Sequence, residues 1–187
     1  MNWQRKQRWL AAAAVVGLLA SCSDRMGTTP SGLASVIGRG TLSSPAFHDG
    51  GAIPVRFTCD GQDVSPPIAW RAPSGASPGL DYVLLVVDVD APGGGFVHWL
   101  AYQLSGSGSI PEGGPVPGNV GTNSFGAAAY SGPCPPGGDA PHRYRFRLYA
   151  LFASHTPVPA GDTVDELLGG IPSQPPIAEL TGTYARS

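Results

Sequence analysis

The run 82–90 constrains the fold more than any other stretch of the chain. A strand sends alternate side chains to opposite faces, and here both sets are apolar. Tyr82, Leu84 and Val86 point one way; Val83, Leu85 and Val87 point the other. Such a β-branched, doubly apolar strand needs a covering layer on each side, so it predicts a central strand of a layered β structure. Further strand candidates surround it at 41–43, 53–57, 96–104 and 142–152. The segment 65–70 is extended, because its prolines exclude helix. Helix signals are few. Thr163 is an N-cap, Glu166 completes a capping box, and Gly169 and Gly170 stop the turn. A second short helix is expected at 177–180. The stretch 106–126, rich in Gly, Pro, Ser and Asn, reads as one long loop. The expected class is mainly β: an antiparallel β-sandwich with a few short helices, formed by residues 40–187.

The first residues stand apart from that domain. Arg5, Lys6 and Arg8 precede an apolar stretch, 10–20, that is too short to span a bilayer. It ends in Leu19-Ala20-Ser21-Cys22, with small residues leading into a cysteine in the pattern of a bacterial lipobox. This predicts a lipoprotein signal peptide over 1–21, lipidation of Cys22 and a flexible tether over 22–39. The protein would then be anchored by lipid to a membrane of the cell envelope, on the extracytoplasmic side, without spanning it. The alternative is an ordinary secretory signal with a chance cysteine.

Removing the signal takes away the only lysine, Lys6, and leaves the chain more acidic than its formal charge of −2. A lysine-free acidic domain lacks the charge that neutralises phosphates in nucleic-acid binding, so no nucleic-acid partner is expected. Of the 3 cysteines, Cys59 and Cys134 remain, both in Gly/Pro-rich loops. In an exported chain such a pair can close one disulfide, and that bridge is expected. Two separate buried thiols are the alternative. Metal binding by the pair is disfavoured, since neither has a second Cys or His at short ligand spacing.

The chemistry-bearing residues gather at strand ends. Asp88 and Asp90 close the central run, His98 opens the next, and His142 opens a third. Simple alternation puts Asp88 and Asp90 on one face, His98 with Leu100 and Tyr102, and His142 with Tyr144, Phe146 and Leu148. Arg143, Arg145 and Arg147 then point the other way, as a solvated outer face, with contact to lipid headgroups or a partner as the alternative. Titratable groups at the rim of an apolar face are the material of a small-ligand pocket. Imidazole, tyrosine hydroxyl and backbone N–H at the glycine turns 93–95 and 130–133 are donors suited to an anion. An aspartate could fix a histidine tautomer or accept from a ligand ammonium, which suits phosphoethanolamine. Three other readings stand beside this one. The histidines could simply cap strands. Two His and two Asp could hold a divalent metal, though no short ligand motif is present. Ser131 could be a nucleophile, though no Gly-x-Ser-x-Gly elbow surrounds it. Trp70 and Trp99 read as core or pocket wall.

Several segments resemble one family. They are Phe57-Thr58-Cys59-Asp60-Gly61 continuing through Ser65-Pro66-Pro67-Ile68-Ala69-Trp70, then Asp88-Val89-Asp90-Ala91-Pro92, and Phe96-Val97-His98-Trp99. They continue with Gly132-Pro133-Cys134-Pro135-Pro136, His142-Arg143-Tyr144 and Glu179-Leu180-Thr181-Gly182-Thr183-Tyr184. Together they resemble the bacterial branch of the phosphatidylethanolamine-binding proteins, also called Raf kinase inhibitor-like proteins. The resemblance implies a β-sandwich with a small anion pocket at one end, built by Asp88, Asp90, Pro92, His98, Gly132, Pro135, His142 and Tyr144. It implies phosphate, acetate-like anions or phosphorylated headgroups as ligands, no cofactor, no metal and no enzymatic turnover. Two departures stand out. Val89 replaces the usual proline and should free a backbone N–H. Val97 before His98 should make the pocket lip smaller. The expected function is a membrane-anchored, non-enzymatic binding or regulatory protein. The alternative is an envelope inhibitor of a protease or kinase acting through surface loops, with a protein partner that the sequence does not name.

Overall fold

The computed structural model describes residues 38–152 and 160–186. The signal segment, Cys22 and the tether up to residue 37 lie outside the described residues. Two sheets carry the fold. A small one orders β1 (Thr41–Ser43), β3 (Ile68–Arg71) and β6 (Ser107–Ile110) as β1-β3-β6. The larger adds β2 (Gly51–Ala52), β4 (Leu80–Asp88), β5 (Phe96–Leu104), β7 (Asn119–Val120), β8 (His142–Phe152) and β9 (Ala178–Tyr184), ordered β2-β9-β8-β4-β5-β7. Among these strands all pairings are antiparallel except the two-residue contact of β2 with β9.

The doubly apolar run sits at the centre, as β4 between β8 and β5. Tyr82, Leu84 and Val86 join Tyr144, Phe146 and Leu148 of β8 and Leu42, Ile68, Trp70 and Ile110 of the small sheet in one buried cluster. Val83, Leu85 and Val87 join Val97, Leu100, Tyr102, Tyr149 and Val164 in a second, against which Leu167, Leu168 and Ile171 pack. The small sheet thus covers one face of β4, and α1 (Val164–Leu168) with the turn after it covers the other. Each fully buried Val or Leu is worth about 1.5–3 kcal/mol, so this strand anchors both layers. The short α1 forms as its caps dictate. The Thr163 hydroxyl accepts from the Glu166 N–H, and the Glu166 carboxylate accepts from the Thr163 N–H at 2.8 Å. Gly169 ends it in the left-handed conformation, at φ 67°.

Three local expectations are corrected. Residues 177–180 are not a helix: Ala178 and Leu180 lie opposite Leu148 and Phe146 in the β8–β9 ladder, and that pairing outweighs local propensity. The 53–57 strand gives way to a single 3-10 turn, Val55–Phe57, in which Phe57 N–H donates to the Pro54 carbonyl. The long loop is not structureless, since it contains β6 and β7. Its Gly108 lies opposite Trp70, where a Cβ would meet the indole ring at 2.8 Å.

The β4–β5 pairing slips twice. Val87 faces Val97 but Val86 faces Trp99, so His98 is an extra residue in a β-bulge. A second slip lies between Leu84↔Ala101 and Tyr82↔Leu104, where Gln103 has φ 55°.

Candidate functional site

β8, β4 and β5 are neighbours, and the antiparallel order brings the end of β4 beside the beginnings of the other two. Asp88, His98, His142 and Tyr144 meet there, all buried. Asp88 is the hub. Its Oδ2 accepts from His142 Nδ1 at 2.8 Å. Its Oδ1 accepts the Asp90 and Ala91 N–H groups at 2.9 and 3.1 Å, which closes the turn after β4.

His98 Nδ1 lies 2.7 Å from the Ser131 carbonyl oxygen. A carbonyl only accepts, so the proton sits on Nδ1 and Nε2 is left for another partner. The same logic places a proton on His142 Nδ1, facing the Asp88 carboxylate. His142 Nε2 lies 3.8 Å from the exposed Asp139 carboxylate. Burial holds the pKa of His98 below its ordinary value, against the opposing pull of the Ser131 and Gly132 carbonyls and the Asp88 and Asp63 charges. The Tyr144 ring stands edge-on to His98, with centroids 5.2 Å apart. Its hydroxyl is buried and makes no hydrogen bond of ordinary geometry among the described residues, although the Asp88 carboxylate is near enough to act on it. Burial first, then the Asp88 charge, pushes the Tyr144 phenol pKa up.

The remaining expected residues take other places. Asp90 does not share the face of Asp88, because the turn sends it to the arginine side of β8. There it accepts from Arg143 Nε at 2.9 Å, Nη2 at 2.6 Å and the backbone N–H at 2.8 Å. Those bonds lower its pKa to about 2. Arg145 and Arg147 pair with Glu179, so the arginine face is an ion-paired surface. Pro92 is exposed in the turn, and Pro135 is buried beside Cys134. Gly132 N–H donates to Asp63 Oδ1 at 2.6 Å, and a Cβ at Gly132 would lie 2.3 Å from the Phe57 carbonyl oxygen. Gly132 therefore allows two backbones to touch, and its N–H is already engaged.

The bulge also corrects the face assigned to His98. Leu100 and Tyr102 belong to the helix-side cluster, whereas His98 touches Tyr144 of the sheet-side cluster. Val97 points into the helix-side cluster and forms no part of the lip. The freed Val89 N–H donates to the Arg143 carbonyl at 3.1 Å, extending the β4–β8 ladder by one bond. Trp70 and Trp99 are core, and Trp99 packs edge-on against Tyr130.

Cys59 and Cys134 form a disulfide across 75 residues. It ties the loop after the 3-10 turn to the loop before β8. Cys59 N–H donates to the Pro133 carbonyl, and the Tyr130 hydroxyl donates to the Phe57 carbonyl at 2.7 Å. These links fix residues 130–134, and with them the Ser131 carbonyl that holds His98.

Sequence reasoning missed Asn123, Phe96, Phe125 and Asp63. Asn123 is buried; its Nδ2 donates to the Ala129 carbonyl and to Ser131 Oγ, both at 2.9 Å. Its Oδ1 accepts from the Phe125 and Ala127 N–H groups at 2.9 and 3.1 Å. Phe96 and Phe125 flank His98 edge-on at 5.4 and 5.6 Å. The run Asn123-Ser124-Phe125-Gly126 carries only a loop signal, and its reach to His98 is a product of tertiary folding.

Comparison with known proteins agrees with this architecture. Residues 43–184 match the family model described as phosphatidylethanolamine-binding protein. A Mycobacterium bovis protein, UPF0098 protein Mb1945c, is 38% identical over 93% of this chain and 72% of its own length. A Mycobacterium tuberculosis protein named "Putative lipoprotein LppC" is 45% identical over 66% of this chain and 60% of its own length. Among solved structures, the homologue CT736 from Chlamydia trachomatis superimposes with a TM-score of 0.67 at 34% identity, covering 80% of this chain and 99% of that one. E. coli YbcL gives a TM-score of 0.65 at 27% identity, covering 80% and 100%. The chain belongs to the phosphatidylethanolamine-binding protein family.

Proposed function

We propose that the chain is a membrane-anchored, non-enzymatic binding protein whose pocket takes phosphate or phosphorylated headgroups such as phosphoethanolamine. One observation carries this reading. Two buried imidazoles have Nδ1 committed to a protein acceptor, leaving Nε2 on each, and the Tyr144 ring beside His98 carries a buried hydroxyl with no hydrogen bond of ordinary geometry among the described residues. A phosphate monoanion supplies the missing complement: oxygens that accept from Tyr144 and from an imidazolium, and an O–H that donates to a neutral Nε2. Because a neutral His98 cannot donate from Nε2, binding of a dianion takes up a proton. The Asp139 carboxylate beside His142 gives an ammonium end a place to rest. The lipobox at Cys22 and the lipoprotein name of the LppC relative support the anchor.

Calorimetry of the full chain with phosphate and O-phosphoethanolamine tests the pocket. Saturable heat, tighter at pH 6 than at pH 7.5, with proton uptake read from buffers of different ionisation enthalpy, is the expected result. His98→Ala combined with His142→Ala should abolish it. Absence of saturable binding at millimolar ligand overturns the reading. Mass spectrometry of the membrane fraction tests the anchor, which Cys22→Ala should release.

A further inference from the structure

We infer that Phe125, held in place by Asn123, is a specificity-determining residue of the pocket, selecting phosphate monoesters with an organic substituent over inorganic phosphate. The inference rests on the pocket reading above and deepens it. Phe125 is 55% exposed, so a ligand bound beside it has ring surface to cover. It is also held firmly. Its N–H donates to Asn123 Oδ1, and the buried Asn123 side chain uses both amide hydrogens and two acceptor sites within the loop. Ser124 locks the same loop to the bulged strand: its Oγ accepts the Val97 N–H, and its N–H donates to the Val97 carbonyl, both at 2.9 Å. The ring packs edge-on against Phe96 at 4.7 Å and against His98 at 5.6 Å.

An exposed aromatic group that is already ordered loses little freedom when a ligand covers it, so its contact converts efficiently into affinity. A phosphate placed at the imidazoles brings the first atoms of its ester group beside this ring. An alkyl or aryl substituent gains apolar contact there, and an ammonium gains attraction to the π face. Inorganic phosphate reaches the imidazoles but leaves the ring uncovered. Asn123 is a positioning residue: it also holds Ser131, whose carbonyl sets the His98 tautomer.

The test compares dissociation constants for inorganic phosphate, O-phosphoethanolamine and phenyl phosphate on the full chain. Wild type should prefer phenyl phosphate over inorganic phosphate by about five- to tenfold, the value of partly covering one ring. Phe125→Ala should bring that ratio close to one, and Phe125→Leu should leave it between. Asn123→Ala should also lower the ratio, and ring nitrogen NMR shifts should show His98 losing its single tautomer, a change that loss of stability alone does not produce. A ratio that Phe125→Ala leaves untouched overturns the inference while the pocket stands. If wild type binds none of the three, the pocket reading falls and this inference falls with it.

Discussion

Asp88 Oδ2 accepts the Nδ1–H of His142 at 2.8 Å, joining two strand ends that lie 54 residues apart in sequence. The second oxygen of the same carboxylate holds the turn after β4, so one side chain both shapes the backbone and orients a buried imidazole. Asp88→Ala leaves three donors without their acceptor, the His142 imidazole among them in a buried setting, and about 2–4 kcal/mol of stability should be lost in urea unfolding. Asp88→Asn keeps an acceptor oxygen and should lose less. Equal losses for the two variants would show that an amide of the same shape replaces none of the carboxylate's role, so that both acceptor oxygens or the charge are required.

Stability should fall as pH drops because of His98. Burial holds its folded pKa below the unfolded value of 6.5, so the unfolded chain binds the proton first. The stabilisation from the neutral ring is complete above pH 6.5 and is lost as pH falls through the lowered folded value. The midpoint of thermal unfolding should drop between pH 7.5 and 5 in wild type and drop less in His98→Asn. Saturating phosphate should restore part of the loss at pH 5.

Asp90 should titrate below the ordinary carboxylate value. A carbon-detected titration should place its carboxyl at about 2, because Arg143 grips it, and Arg143→Ala should return it towards 3.8. Its contribution to stability is present above the unfolded value and lost as pH falls through the folded one. A carboxyl at 3.8 in wild type would mean the ion pair is open in solution.

Gly132→Ala should be costly, because its Cβ would press on the Phe57 carbonyl oxygen at 2.3 Å and on Asp63 Oδ1 at 2.6 Å. Overpacking of this kind costs about 1–3 kcal/mol. Gly137→Ala, five residues on in the same loop, meets open space and should stay within about 0.5 kcal/mol of wild type. Denaturant midpoints of the two variants provide the comparison.

Opening the Cys59–Cys134 bridge should lower stability by about 4 kcal/mol, from the entropy of the long loop it closes. It should also weaken phosphate binding, since the bridge helps fix the segment that holds His98. Paired Cys59→Ser and Cys134→Ser substitutions, followed by urea unfolding and calorimetry, separate these effects. Unaltered affinity in the paired variant would show that the hydrogen bonds at 130–133 suffice.

The layers of the fold were legible in sequence, because a strand with two apolar faces leaves few alternatives, and β5 and β8 span the residues their patterns predict. The α1 caps were equally plain, being local chemistry. The parts that misled were those decided by partners distant in the chain. Ala178–Leu180 became strand because β8 offered an edge, and Asp90 left the face of Asp88 because the turn redirected it. At the site, His142 and Tyr144 followed simple alternation, whereas His98 did not, because a bulge leaves no mark on period-two counting. Asn123 and Phe125 carry no signal beyond that of a loop.

The bulge at His98 makes the site sensitive to the length of β5 as well as to its composition. A polar ring reaches the sheet-side face there only because one more residue is counted on β5 than on β4. Removing a single residue between Val97 and Trp99 would restore regular pairing while keeping the other apolar side chains in register. The strand end would then lose its imidazole while the sandwich still forms. The placement of this ring and the pairing of the sheet are written into one strand in two different counts, and an insertion or deletion can alter the first while sparing the second.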